Sequence, residues 1–157
     1  MSTTIQRATE ANAADIAVMV GELLTEIMQQ IGEQTFNFDL QETADRLRDL
    51  LEKQVYVVFV AYDSLHNAVG FLSLSESHAL YAEGAFGIVP ELYVRPAFRS
   101  GQVGRKLVSQ AKAYGAVKGW TRLEVTTPPL PQFDRTLGFY QREGFSISGG
   151  RKLKLLL

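Results

Sequence analysis

Between Pro90 and Val108 the chain reads PELYVRPAFRSGQVGRKLV, the stretch whose residue types and spacing have most chemistry to offer. Leu92–Val94 suits the end of a strand, Pro96 and Gly101 suit a short loop, and a helix opens near Gln102. Such a loop aims several free backbone N–H groups at one spot, backed by the positive end of the helix dipole. Arg99 precedes the helix, Arg105 and Lys106 fall in its opening turns, and no acid occurs between Arg95 and Lys118. First turns ordinarily favour acids. Cations there make sense if a multiply charged anion binds, and they fit a solvated basic surface about as well, at roughly a few tenths of a kcal/mol each. Two other phosphate loops fit worse. Gly104 is followed by Arg105-Lys106-Leu107 rather than Lys-Ser/Thr, and Gly101 and Gly104 are only two of the three glycines of a dinucleotide fingerprint.

The rest of the composition removes whole classes of chemistry. There is no cysteine among the 157 residues, which excludes disulfides, thiolate metal sites and a cysteine nucleophile. The two histidines, His66 and His78, lie near expected turns, read best as solvated, and leave little for a histidine metal site. A net charge of −1 argues against nucleic acid as the main partner. The start lacks the basic-then-apolar order of a signal peptide, and the longest apolar run, Val55–Tyr62, is too short to span a bilayer, so no membrane partner and a cytoplasmic location are expected.

These residues need elements to position them. Thr3–Arg7 suits a first strand. From about Asn12, Ile16, Met19, Val20, Leu23, Leu24, Ile27 and Ile31 recur in steps of three and four as one buried helical face, and Gly32 is a natural stop. Glu33–Phe38 breaks the period, and Asp39 with Glu42 reads as the capping box of a second helix. Val55–Tyr62 reads as a strand covered on both faces, followed by a turn at Asp63–Asn67 and strands at Val69–Ser75 and Gly84–Val94. A helix from Gln102 to Gly115 or Gly119 comes next, then a strand at Trp120–Thr126 and a bend at Pro128, Pro129 and Pro131. A short helix at Gln132–Arg142, a strand at Phe145–Ser148, a Gly149-Gly150 turn and a terminal strand Arg151–Leu157 complete the chain. The order implies an α+β domain with a mixed, mostly antiparallel sheet of about six or seven strands and about four helices.

At these residues the chain resembles the GNAT superfamily of acyl-CoA-dependent N-acetyltransferases. LYV at Leu92–Val94 followed by RSGQVG at Arg99–Gly104 is similar to that family's strand end and glycine loop, and GFYQREGF at Gly138–Phe145 to its Phe-Tyr then Gly-Phe motif. The order and spacing of the two motifs match, so the resemblance covers essentially the whole chain as one domain, residues 1–157, with a cleft where central strands splay.

The resemblance implies a set of roles. The amides of Arg99, Ser100, Gly101, Gln102, Val103, Gly104 and Arg105 would cradle the pyrophosphate of acetyl-CoA. Leu92 and Val94 would offer strand backbone to its pantetheine arm, with an N–H near Tyr93 or Val94 polarising the thioester carbonyl. Thr126 or Thr127 would replace a missing asparagine, whose position is Phe133. Tyr140 would protonate the leaving thiolate and Glu91 would serve as base for the incoming amine, although each also fits a plainer role, as packed aromatic and as solvated carboxylate. Gln102 occupies a slot usually held by glycine; either Gly101, one place earlier, would relieve the crowding, or Gln102 would take ordinary helical angles. The acceptor pocket would fall at Glu33–Phe38, Ser73–Ser77 and Ser148–Lys152, with Phe36, Phe38, Glu33 and Glu76 either binding a small primary amine or serving as a hydrophobic staple and surface charges. A protein amine, or a CoA-binding module without turnover, are the rival readings. The apolar tail Lys152–Leu157 leaves a homodimer open, a buried terminal strand being the other account of it.

Overall fold

The valine-rich run is a strand buried on both faces, and it shows why the molecule has two cores. In the computed structural model, which describes residues 2–157, Val57–Tyr62 (β2) is buried at all six positions. Strand alternation sends Val58, Val60 and Tyr62 to one side, where Ile16, Met19, Leu47, Phe71 and Tyr93 meet them, and Val57, Phe59 and Ala61 to the other, with Leu72, Leu74, Val103, Leu107 and Val108. Each such large side chain contributes about 1.5–3 kcal/mol on burial. The first core lies under helices α1 (Ala13–Ile31) and α2 (Leu40–Glu52), the second under α3 (Val103–Lys118).

Strand β1 (Thr4–Arg7) flanks β2 on one edge, and β3 (Ala68–Ala79) on the other carries both β4 (Gly84–Val89) and β5 (Leu92–Val94). All these pairs are antiparallel. Strand β6 (Leu123–Val125) then pairs parallel with β4 and closes a six-stranded sheet in the order β1-β2-β3-β4-β6, and α4 (Asp134–Arg142) follows it. This is the α+β arrangement with four helices and a mixed, mostly antiparallel sheet that the sequence order implies. Among the described residues no helix is long and apolar enough to cross a membrane.

The expected punctuation holds. Gly32 and Gly119 end α1 and α3 in the left-handed conformation, at φ 73° and 76°. Asp39 Oδ1 accepts the Glu42 N–H at 2.8 Å, the cap without the return bond of a full capping box, and Asp63 Oδ1 accepts the Leu65 and Asn67 amides to tighten the turn after β2. Trp120 wedges between sheet and helix: a Cβ on Gly87 would lie 2.3 Å from its ring and one on Gly115 3.0 Å, so the small residues make room for the indole.

Four expectations change. Strand β3 runs on past Ser75 to Ala79, which places His78 on a strand rather than in a turn, though still exposed beside Glu76. The single strand expected over Gly84–Val94 is two, broken at Pro90–Glu91. The strand expected over Trp120–Thr126 is only the three residues of β6. Neither Phe145–Ser148 nor Arg151–Leu157 forms a strand, and Leu153, Leu155 and Leu156 are exposed rather than buried. Apolar composition produces a strand only where a partner edge takes up its backbone groups, and these residues engage none.

Candidate functional site

The break between β4 and β5 is built by one serine. Ser75 of β3 is opposite Ile88 and Leu72 is opposite Leu92, so Val89–Glu91 must bulge across Ser73 and Leu74. Pro90 has no N–H to give to the ladder. Ser73 bridges the gap: its N–H donates to the Glu91 carbonyl at 2.9 Å, and its Oγ accepts the Glu91 N–H at 3.0 Å.

The same break opens the sheet. Strand β6 follows β4 as far as the Val89–Val125 pair, and β5 pairs only with β3. The Glu91 carbonyl and the Arg95 N–H, which donates to Val69 O at 2.9 Å, both face β3. Backbone direction alternates along a strand, so the amide groups of Tyr93 face β3 too, and those of Leu92 and Val94 face the open edge. The polarising N–H expected near Tyr93 or Val94 is therefore not that of Tyr93. Its side chain also points elsewhere, toward α1, where the phenol donates to Glu22 Oε1 at 3.2 Å and burial with the nearby carboxylate pushes it up to about 12.

Beyond β5, Pro96–Phe98 makes one tight turn and Gln102 precedes α3 at φ 63°, ψ 18°. Gln102 is thus left-handed, so the helical alternative fails; it keeps the backbone shape that glycine would adopt freely, at a steric cost. The first helical bond is from the Lys106 N–H to Gln102 O, and no side chain caps the helix, so the amides of Val103, Gly104 and Arg105 stand unpaired at its positive end. Arg105 and Lys106 make no ion pair among the described residues; the Lys106 ammonium donates to Thr3 Oγ1 at 3.2 Å. Arg99 instead turns back: Nε donates to the Val94 carbonyl at 2.8 Å and the guanidinium pairs with Glu26 at 2.6 Å, beside the Arg95–Glu22 pair at 3.0 Å. Ser100 and Gly101 are exposed in the loop. Gly104 has a packing reason as well, since a Cβ there would lie 3.1 Å from Phe139 of α4 and 3.8 Å from Val94.

That contact brings α4 to the cleft. Phe139 and Phe145 share the α3-side core with Leu92, Val94 and Val125, and Tyr140 lies between them with ring centroids 5.4 and 5.5 Å away. Tyr140 is 6% exposed. Its hydroxyl donates to nothing among the described residues, and no buried side-chain polar atom there is left unpaired, so the hydroxyl itself reaches the surface. Desolvation pushes it up to about 12. Phe133 is buried at the start of α4 and offers only carbon. Thr126 is exposed directly after β6, at the mouth of the splay.

Glu91 lies on the α1/α2 side of the sheet, half-buried, where it accepts from Ser73 Oγ at 2.5 Å and from the Tyr56 phenol at 3.2 Å. Burial raises its pKa, and the two hydroxyl donors oppose the rise. Register places Ser75, Ile88 and Glu124 side by side on the same face, next to Ser77, Phe86 and Arg122. Glu124 pairs with Arg122 at 3.1 Å, and Arg122 lies over Tyr81 and Phe86. Sequence reasoning missed Tyr56 and Glu124, because only β-register brings either one here. Glu76 projects to the opposite face, where it accepts the Trp120 indole N–H at 2.7 Å, so it leaves the expected acceptor set. Phe38 packs on Gly21 and lines a groove of about 510 Å³ on α1 with Glu22 and Glu26, while Glu33 and Phe36 are exposed. Ser148–Lys152, without its hairpin, makes no wall.

Comparison with known proteins adds the following. Residues 54–147 match a family described as Acetyltransferase (GNAT) domain. No curated protein sequence matches the chain. Among solved structures, the chain is similar to an aminoglycoside acetyltransferase, meta-AAC0020, from an uncultured soil metagenomic sample (19% identity, 99% of this chain and 96% of that one, TM-score 0.77). It is also similar to a ribosomal-protein-alanine N-acetyltransferase from Brucella melitensis biovar Abortus 2308 (15%, 99% and 99%, 0.74) and to glucosamine-6-phosphate N-acetyltransferase from Arabidopsis thaliana (15%, 99% and 99%, 0.74). At these identities the likeness is one of fold.

Proposed function

Because this chain belongs to the GNAT acetyltransferases, matching that family over more than half its length, we propose that it transfers the acetyl group of acetyl-CoA to the primary amine of a small molecule. The reading takes residues 1–157 as one N-acetyltransferase domain. The observation that carries it is the edge of β5, which pairs with no second strand and on which only the Val94 carbonyl is engaged, by Arg99 Nε, facing a β6 that has already diverged, next to unpaired helix amides.

The residues present fit the co-substrate. Val103, Gly104 and Arg105 offer free N–H groups to a diphosphate, with Arg105 and Lys106 adding charge. Leu92 and Val94 offer amide groups of the right kind for an extended arm. When bound, acetyl-CoA supplies the acyl group as an activated thioester. Glu91 Oε accepts the proton that the amine must lose, an edge N–H of β5 donates to the carbonyl oxygen, and Tyr140 Oη delivers a proton to the departing sulfur. A tyrosine suits that last task because its phenol stays protonated through neutral pH.

The three neighbours' names give an aminoglycoside, a ribosomal-protein alanine and a glucosamine phosphate as acceptors, which supports an amine in general and favours no one of them. Ser75, Ser77, Ile88 and Glu124 on one sheet face give a partly exposed surface of the mixed polarity that a small amine would use. Incubating the chain with acetyl-CoA and a panel of amines (amino acids, polyamines, aminoglycosides, an N-terminal peptide) while detecting free thiol tests the reading. Thiol release dependent on one small amine is expected; release with the peptide alone would turn the assignment to a protein acceptor, and none with any amine would favour a binding module.

A further inference from the structure

We infer that Tyr56 is a positioning residue for Glu91, fixing the carboxylate and setting the pH at which it can take up a proton, while Ser73 fixes the strand break from which it hangs. This rests on the reading of Glu91 as the base.

Tyr56 stands one residue before β2, and its hydroxyl lies 3.2 and 3.4 Å from the two oxygens of Glu91. Ser73 Oγ donates to Oε1 of the same carboxylate and accepts the Glu91 N–H. The two partners therefore differ. Ser73 binds both the side chain and the backbone of Glu91, so it links the carboxylate to the break that opens the β5 edge. Tyr56 touches the carboxylate alone.

The groups facing Glu91 are few. Ser73 comes from β3 and Tyr56 from the approach to β2, and no charged side chain among the described residues bears on its titration. Glu22 and Arg95, on the same face, are paired with each other. With no cation at hand, the ionised form of Glu91 depends on these two O–H donors against the desolvation that opposes it. Burial and the neighbouring carboxylate raise the pKa of Tyr56 well above its ordinary value, so the phenol remains a donor wherever the base works.

Removing the Tyr56 hydroxyl should then raise the Glu91 pKa. A base must be ionised to act, so the acid limb of the kcat/KM profile should move to higher pH in Tyr56→Phe, by about one pH unit for the loss of one hydrogen bond to a charge. Ser73→Ala should move the limb the same way and in addition raise the KM for acetyl-CoA, because the break itself loosens. The experiment measures pH profiles of kcat/KM for wild type, Tyr56→Phe, Ser73→Ala and Glu91→Gln. It also follows the Glu91 side-chain carboxyl by carbon NMR titration in wild type and Tyr56→Phe. An upward shift in both readouts for Tyr56→Phe is the expected result. If Glu91→Gln keeps the wild-type limb, the base assignment fails. If Glu91→Gln removes the limb but Tyr56→Phe leaves it in place, or the carboxyl titrates unchanged in Tyr56→Phe, the positioning role alone is overturned.

Discussion

Burial pushes the Tyr140 phenol up to about 12 and raises Glu91 above the ordinary carboxylate range, one cause acting on two groups with opposite tasks. For an acid that must deliver a proton the shift keeps it charged with one, so Tyr140 should contribute no basic limb to the rate profile below about pH 10. Tyr140→Phe keeps the ring between Phe139 and Phe145 and removes only the donor; steady-state kinetics should show kcat/KM falling by about 100-fold or more with folding intact. An unchanged rate would return Tyr140 to the role of a packed aromatic. For Glu91 the same burial carries a stability consequence. Its folded pKa lies above the unfolded value, so folding favours the protonated form; that stability is fully present below the unfolded pKa and lost as pH rises through the folded one. Wherever the carboxylate is ionised, the native state therefore carries a charge that burial disfavours. Glu91→Gln, a neutral mimic, should raise the melting temperature at about pH 7 while activity falls, and the gain should shrink toward about pH 4.5; calorimetry at the two pH values checks it. A lower melting temperature at neutral pH would mean that the Ser73 and Tyr56 hydrogen bonds outweigh the desolvation.

Elements repeat the lesson at larger spacing. Helices α1 and α3, the caps at Gly32, Asp39 and Gly119 and the doubly covered β2 were legible because each signal lies within a few residues of what it controls. The break at Pro90–Glu91 was not, because its cause is the register against β3, set by Ser73 eighteen positions earlier. The lining of this face was legible only in part for the same reason: Ser75 and Ser77 fall in the expected Ser73–Ser77 stretch, but only the Ile88–Glu124 pairing decides that Glu124 belongs there, and only strand parity sends Glu76 to Trp120. The last two expected strands failed because apolar alternation states a preference without supplying an edge. Gln102 in a glycine slot allows two readings, crowding relieved by Gly101 or helical angles, and the turn from Phe98 into α3 excludes the second, demanding φ 63° whichever residue fills the position. Gln102→Gly should accordingly stabilise the fold, by about 0.5–1 kcal/mol in urea denaturation, since the strain relieved exceeds the entropy glycine adds to the unfolded chain. Its affinity for acetyl-CoA should not fall, because the backbone shape is the same. A loss of stability would show that the side chain holds the loop in a way its exposed position does not suggest.

Across the whole molecule the charge is −1, but the loop and helix from Arg95 to Lys118 hold no acid, and Arg105 and Lys106 at the start of α3 make no ion pair among the described residues. A ligand that spans this loop and the β5 edge contacts groups arranged only in the folded chain, so its binding must appear as stability. At a concentration of 100 times its Kd, acetyl-CoA should contribute about 2.7 kcal/mol, which for a domain of this length is a rise in melting temperature of about 5–10 °C. Two sources of that shift can be separated. Attraction by Arg105 and Lys106 is exposed and screened, so its share should fade between about 50 mM and 1 M salt and vanish in Arg105→Gln with Lys106→Gln. Hydrogen bonds from the amides of Val103, Gly104 and Arg105 belong to the backbone and should survive both treatments. Thermal shift measured with acetyl-CoA, and with pantetheine, which lacks the diphosphate, should therefore show a residual shift at high salt for the first and little for the second. A shift equal for both would place the binding energy on the strand edge alone, and the unpaired amides of α3 would then hold no phosphate.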